Sequence, residues 1–215
     1  MIYVVGSSSN RFRDLNPNIR TKFIVNEPHE GKNIDSLNPY FCELTGLYYM
    51  WQHDKGDIVG LEHYRRYLSA DGRNPISKEQ IEKRLTKGDV LCATVDYGYR
   101  TIESYFINRG FEFYAWLLKY MCWLEVYKGK HFSDHCRNYL KGNKHLLGNI
   151  FISHKDVMYD YCSFLFPSIL EFIHVEQIHK RPIYPRIIGY LTEFTMGAVF
   201  SYLGKRVCET SIVWN

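Results

Sequence analysis

His63, Arg65 and Arg66 follow directly on the apolar run Asp57 to Leu61, with Tyr64 and Tyr67 packed among them. Apolar runs of this length read as buried strands. In open α/β sheets, ligands bind just beyond the carboxyl ends of strands. Two arginines there form a planar fork suited to a phosphate or carboxylate. The alternative is a surface turn with ordinary basic residues. A second strand, Asp89 to Val95, ends in Asp96, Tyr97 and Gly98. It is expected to run beside the strand that ends at His63, so that Asp96 shares its crevice. An acid there holds a sugar hydroxyl or acts as a general base; the alternative is a turn aspartate before Gly98.

Further candidates lie along the second half. Asn149 follows Gly148, which permits close backbone approach, and its amide both donates and accepts, as a sugar hydroxyl requires. Arg186 and Glu193 fall on one face of a predicted helix, with Glu193 inside the otherwise apolar stretch Ile187 to Val199. A charge in that setting is expensive unless it is paired or used, so an internal ion pair competes with a functional role. His131 and His135 are spaced to share a metal, but no third ligand accompanies them. Glycine fingerprints for dinucleotides, a Walker loop and a nucleophile elbow are absent from the sequence.

The elements that must position these residues are legible in part. Ile2 to Val5 and Lys22 to Val25 read as strands, separated from the next helix by the polar loop Asn26 to Leu37 with Gly31, Asn33 and Asp35. Asn38 reads as an N-cap with Pro39 at the first helical position. Phe41, Leu44, Leu47, Tyr48 and Trp51 then recur at helical spacing. Ser77 with Gln80 makes a capping box. Alternation of strand and helix over the first half predicts a largely parallel sheet. Beyond it, Glu103 to Tyr127, His131 to Leu140, Asp156 to Ile173 and Arg186 to Leu203 read as helices. Gly148 to Ser153 is a short strand, and Val207 to Val213 an edge strand.

The chain has 215 residues, 46% of them hydrophobic, which suits one domain with a substantial core. Its 18 Tyr, 13 Phe and 4 Trp offer stacking surfaces for flat polar ligands, though a core absorbs most of them. A net charge of +4 is too mild for a nucleic-acid stripe and compatible with phosphates or an anionic membrane surface. The six cysteines are scattered singly and read as reduced thiols of a cytoplasmic protein. No segment has the length and composition of a secretory leader or a membrane span.

Two motifs together carry a resemblance. Phe41-Cys42-Glu43-Leu44-Thr45-Gly46-Leu47-Tyr48 after Asn38, and Gly60-Leu61-Glu62-His63-Tyr64-Arg65-Arg66-Tyr67, resemble the paired motifs of the DUF4422 family. Gly148 to Ile152, Tyr161-Cys162 with Leu165-Phe166, and Gly189-Tyr190-Leu191 with Glu193 resemble its later segments. Phe41, Glu62 and Phe194 depart from the family pattern, and Tyr99 to Leu147 matches it poorly. The resemblance implies an α/β, GT-A-like fold. It also implies a glycosyltransferase of bacterial capsular or exopolysaccharide synthesis, working at the cytoplasmic side, with peripheral contact with the membrane compatible with that role.

On that reading residues 1–98 bind the nucleotide-sugar, a UDP-sugar or relative, and residues 99–215 face a glycan or polyprenyl-linked acceptor. GT-A enzymes usually hold the diphosphate through a metal on an Asp-x-Asp motif, which this sequence lacks. His63, Arg65 and Arg66 with Tyr64 are therefore expected to replace the metal, so that no cofactor is needed. Asn33 and Asn38 are expected to close over the nucleotide, with Asn149, Tyr97 and Arg186 holding substrate. If configuration inverts, a base must deprotonate the acceptor hydroxyl, and Asp96 and Glu193 are the candidates for it. The alternative is a non-catalytic nucleotide or glycan-binding module.

Overall fold

The computed structural model describes residues 1–178 and 186–215. Its centre is a twisted sheet. The strands β1 (Ile2–Gly6), β2 (Arg20–Ile24) and β3 (Ile58–His63) are mutually parallel, with β1 between the other two. On the far side of β3 comes β8 (Phe151–His154), which runs opposite, then β5 (Asp89–Cys92) and β9 (Arg206–Glu209), again in the direction of β3. The sheet is thus mostly parallel, as expected, with two reversed strands, the short β4 (Arg66–Ser69) and, at its middle, β8. That strand comes from the second half of the chain, so one sheet is built from both halves.

Alternation along the strands gives the sheet two apolar faces. Phe151, Leu61, Val59 and Val90 point to the helical layer, while Ile152, Leu91 and Ile2 point to the other side. The helical layer comprises α2 (Leu44–His53), α4 (Ile102–Asn108), α5 (Phe111–Lys128), α6 (Lys130–Leu140), α7 (Lys155–Val175) and α8 (Ile187–Tyr202). Its buried aromatic residues, Tyr120, Tyr161, Phe166, Phe172 and Phe200 among them, each contribute about 1.5–3 kcal/mol by leaving water. The opposite face is covered by α3 (Lys78–Arg84), which starts in the capping box expected of Ser77 and Gln80. Pro167 lies inside α7, which runs on through it from Lys155 to Val175.

Four elements differ from expectation. Glu103 to Tyr127 is two helices, α4 and α5, parted at Arg109 and Gly110, the glycine having φ 121. The first helix is two: α1 (Asn38–Phe41) and α2, separated because Cys42 takes a left-handed backbone (φ 52). Asn38 is consequently inside α1, Leu37 is its N-cap, and the Asn38 carboxamide accepts from Thr45 Oγ1 at 3.2 Å. The strand ending at Asp96 divides. After Ala93 the chain leaves the sheet as β6 (Thr94–Asp96) and pairs with β7 (Lys144–Leu146) in a separate ribbon, held to the sheet by the Leu147 N–H on Ala93 O. Finally, the single edge strand is two: β9 pairs with β5, and β10 (Ser211–Trp214) with β4 (Arg66–Ser69), the strand that turns back from β3.

Candidate functional site

The carboxyl ends of β1 and β3 open on one edge, where Val5 is in register with His63. Against this edge the Cys42 break in α1–α2 turns Glu43 inward, where it is 5% exposed. Three nitrogens face its Oε1: His63 Nε2 at 3.5 Å, an Arg66 Nη at 3.6 Å and an Arg186 Nη at 3.7 Å. Arg186 is the N-cap of α8 in left-handed conformation (φ 68), tied down by its N–H on Pro39 O and its Nε–H on Cys42 Sγ at 3.0 Å. Burial pushes the Glu43 carboxyl up, and Arg66 and Arg186 pull it back. Burial and the charge of Glu43 push the Cys42 thiol up to about 11, against Arg186, so it stays protonated at neutral pH.

His63 is not the cation expected of it. Burial, then the guanidiniums of Arg66, Arg65 and Arg186, push its pKa down to about 3. Its Nδ1 accepts the Arg65 N–H at 3.3 Å, which leaves the proton on Nε2, facing Glu43. It is a neutral hydrogen-bond donor, and the positive charge at this strand end belongs to the arginines. Arg66 lies flat on Gly148: a Cβ there would sit 2.6 Å from an Arg66 Nη, and the glycine has φ +76. The Gly148 N–H in turn donates to Glu193 Oε1 at 2.8 Å. One glycine therefore seats an arginine and a carboxylate at once.

Two cavities share this wall. The smaller, about 260 Å³, is lined by Gly6, Ser7 and Asn10 after β1, by Asn38 and Pro39, and by His63, Tyr64, Arg65 and Arg186. The larger, about 410 Å³, lies on the other side of Glu43, Cys42, Arg65 and Arg186, which line both. Arg66, Glu193, His145, Tyr97, Tyr105, Arg109 and Tyr190 complete the larger one, with Trp214 at its rim. Its wall is aromatic and ordered. His145 is sandwiched between Tyr97 (centroids 5.1 Å apart) and Phe194 (4.7 Å), and Tyr105 stacks on Tyr97 at 4.7 Å. His145 Nε2 is 3.9 Å from Glu193 Oε1, and its buried Nδ1 has no partner among the described residues. Arg109 covers the Tyr190 ring at 4.5 Å and bonds Tyr105 Oη at 3.1 Å.

Of the residues anticipated from sequence, His63, Tyr64, Arg65, Arg66, Asn38, Tyr97, Arg186 and Glu193 line one or both cavities. Three do not. Asp96 is exposed on the β6–β7 ribbon, and its carboxylate accepts the Gly98 N–H at 2.8 Å, as a turn aspartate does. Its neighbours Val95 and Tyr97 do line the larger cavity, and Asp96 between them falls on the opposite side of the ribbon that β6 makes with β7. Asn33 bonds His29 O and Gly31 O within its own loop. Asn149 is 2% exposed and donates to Gly189 O at 2.9 Å, fastening the β8 turn to α8. Glu43, His145 and Arg109 were missed. Glu43 stands between Cys42 and Leu44 at the head of an apolar helix, so the rule that singled out Glu193 would also have found it.

The divalent ion usual in GT-A enzymes does not suit these residues. Glu62, at the strand end, is 0% exposed and already accepts from Arg20 at 2.8 and 3.2 Å and from the Leu68 N–H at 2.9 Å. Glu43 faces cations, and Asp96 is elsewhere. Among the described residues no three His, Cys, Asp or Glu are placed to hold a metal.

The family model for DUF4422, a domain of unknown function, matches residues 5–202. The chain belongs to the DUF4422 family. Its fold is similar to the apo structure of WbbM, a bifunctional glycosyltransferase, with a TM-score of 0.76 at 21% identity. The match covers 99% of this chain and 45% of that one, so the chain spans less than half of WbbM. The likeness establishes the GT-A-like fold. Comparison with curated proteins gives no match.

Proposed function

We propose that this DUF4422 protein is a glycosyltransferase that moves a sugar from a nucleotide-sugar, a UDP-sugar or relative, to a glycan or lipid-linked acceptor. We assign that reaction to surface polysaccharide synthesis in the cytoplasm. One observation carries the reading: two cavities at the carboxyl ends of β1 and β3 share a wall made of Arg65, Arg186, Cys42 and Glu43. A donor needs a nucleotide site and an acceptor needs a second site, with the diphosphate between them.

In this reading the nucleotide occupies the smaller cavity, against Asn38, Tyr64 and the Gly6–Asn10 turn. Its diphosphate lies on Arg65 and Arg186, whose guanidiniums stabilise the charge that develops on the leaving group. The acceptor enters the larger cavity and lies against the aromatic wall that carries Tyr97, Tyr105 and Tyr190. Glu193 takes the proton from its hydroxyl. The Gly148 N–H holds that carboxylate in place, and His145, 3.9 Å away, orients it. Because the strand-end carboxylates are unsuited to a divalent ion, the arginines do the electrostatic work, and turnover persists in chelator.

A thermal-shift panel of nucleotides and nucleotide-sugars tests the first half, since a ligand bound by the folded state raises the melting temperature. A panel with no response rejects the donor assignment. Turnover tests the second half. Glu193→Gln is expected to keep donor binding and lose about 10²–10⁴-fold in rate. An undiminished rate removes Glu193 from catalysis. Binding of donors without transfer or hydrolysis under any acceptor identifies a binding module instead.

A further inference from the structure

The helix α5 is apolar on the wrong side as well as the right one. Phe113, Leu117, Tyr120, Met121 and Leu124 face the core. On the opposite side Phe111, Ala115, Leu118, Cys122 and Val126 are all exposed, Phe111 at 88% and Val126 at 82%. Their spacing places them within an arc of about 80° and along about 22 Å of helix. A solvent-facing helix normally keeps that arc polar, so this stripe marks an interaction surface.

Charge identifies what the surface fits. Residues 99–144 contain eight Lys and Arg against four Asp and Glu, which accounts for the whole +4 of the chain. Lys119, Lys130 and Arg137 pair with Glu176, Asp134 and Glu125. Arg100, Lys141 and Lys144 have no carboxylate within ion-pair distance among the described residues, and all three are exposed. Lys141 shares a surface hollow with Leu118 of the stripe, and exposed apolar side chains together with unpaired cations match the interface of an anionic bilayer, where the apolar groups enter the acyl boundary and the cations meet phosphates. Tyr99, 92% exposed, adds an aromatic group of the kind that settles at headgroup depth. No described helix is long and apolar enough to cross a membrane, so α5 would lie in the interface plane.

We propose that the outer face of α5, with the turns flanking α4, docks the protein on an anionic membrane surface. The mouth of the larger cavity is carried to that surface by the same turn. Arg109 lines the cavity and Phe111, two residues on, belongs to the stripe. An acceptor anchored in lipid would then be met at the bilayer.

The test is sedimentation of the intact chain with vesicles of phosphatidylcholine, with and without phosphatidylglycerol, in the absence of any donor, which keeps it independent of the catalytic reading. Binding is expected with phosphatidylglycerol, weakening as salt rises. It should fall at least about tenfold in the double variant Phe111→Ser, Val126→Ser, whose unchanged melting temperature and circular dichroism would show an intact fold. Absence of binding at low salt, or undiminished binding by the variant, overturns the proposal. So does light scattering that shows the wild type dimeric and the variant monomeric while neither binds vesicles; the face would then belong to a second copy of the chain.

Discussion

Two buried carboxylates, Glu62 and Glu43, lie close to the same strand end and are treated in opposite ways. Glu62 is saturated: a bidentate Arg20 and a backbone N–H occupy its oxygens at 2.8–3.2 Å. Glu43 has three nitrogens around one oxygen and none nearer than 3.5 Å. The first arrangement is closed, and its geometry serves the fold. The second is loose and opens on two cavities, with more positive charge than one carboxylate balances. Breaking the first would strand a buried charge, whereas the second leaves arginine donors over, Arg66 Nε being buried with no partner among the described residues, and such donors suit an anion.

The largest expected effect falls on the closed pair. Arg20→Met leaves Glu62 buried without its partner and is expected to cost about 3–5 kcal/mol of stability by denaturant titration. A loss below 1 kcal/mol would show that Glu62 is not held as described. At the loose cluster the penalty should appear in binding. Arg186→Ala, like Arg65→Ala, is expected to weaken nucleoside diphosphate binding by about 1.5–3 kcal/mol in calorimetry, with little change in melting temperature. An unchanged affinity would take that arginine out of the diphosphate site.

The next effect is in pH. His63 is neutral when folded and has an ordinary pKa when unfolded, so between pH 6.5 and about 3 the unfolded chain binds the extra proton. Stability contributed here is present at neutral pH and lost as pH falls through that window, by about 1–2 kcal/mol between pH 7 and 5. His63→Gln should flatten that slope in denaturant titrations across pH, and an identical slope would mean that His63 titrates normally in the fold. The smallest effect concerns Glu43→Gln. Removing a negative charge beside the arginines should tighten nucleoside diphosphate binding by about 1 kcal/mol. Weaker binding would recast Glu43 as the group that keeps the arginines in position.

The same contrast explains what the sequence could and could not reveal. Strands β1 and β3, the Ser77 capping box and the inward face of α7 follow from local periodicity and end signals, and each was legible. Pairing partners are not local. Nothing between Asp89 and Gly98 says that the chain leaves the sheet after Ala93, because that depends on Lys144–Leu146 arriving beside it. Asp96 was misplaced for that reason. His145 was invisible for a related one: its neighbours Tyr97 and Phe194 come from segments far away along the chain. Residues beside the strand end, by contrast, were found because a strand's carboxyl end is marked by the sequence itself.

The turn carrying Arg65 and Arg66 also has a history within each folding event. Its outer support is Asn215, whose N–H donates to Arg65 O and whose carboxamide donates to Tyr64 O and Arg11 O, across a sequence separation of 151 residues from Tyr64. Contacts so distant close slowly, since the loop entropy must be met before they form. The arginine turn is therefore tied to the most distant pairings of the sheet, β4 on β10 and Asn215 on Arg65, and is expected to close with them and not with its neighbours in sequence.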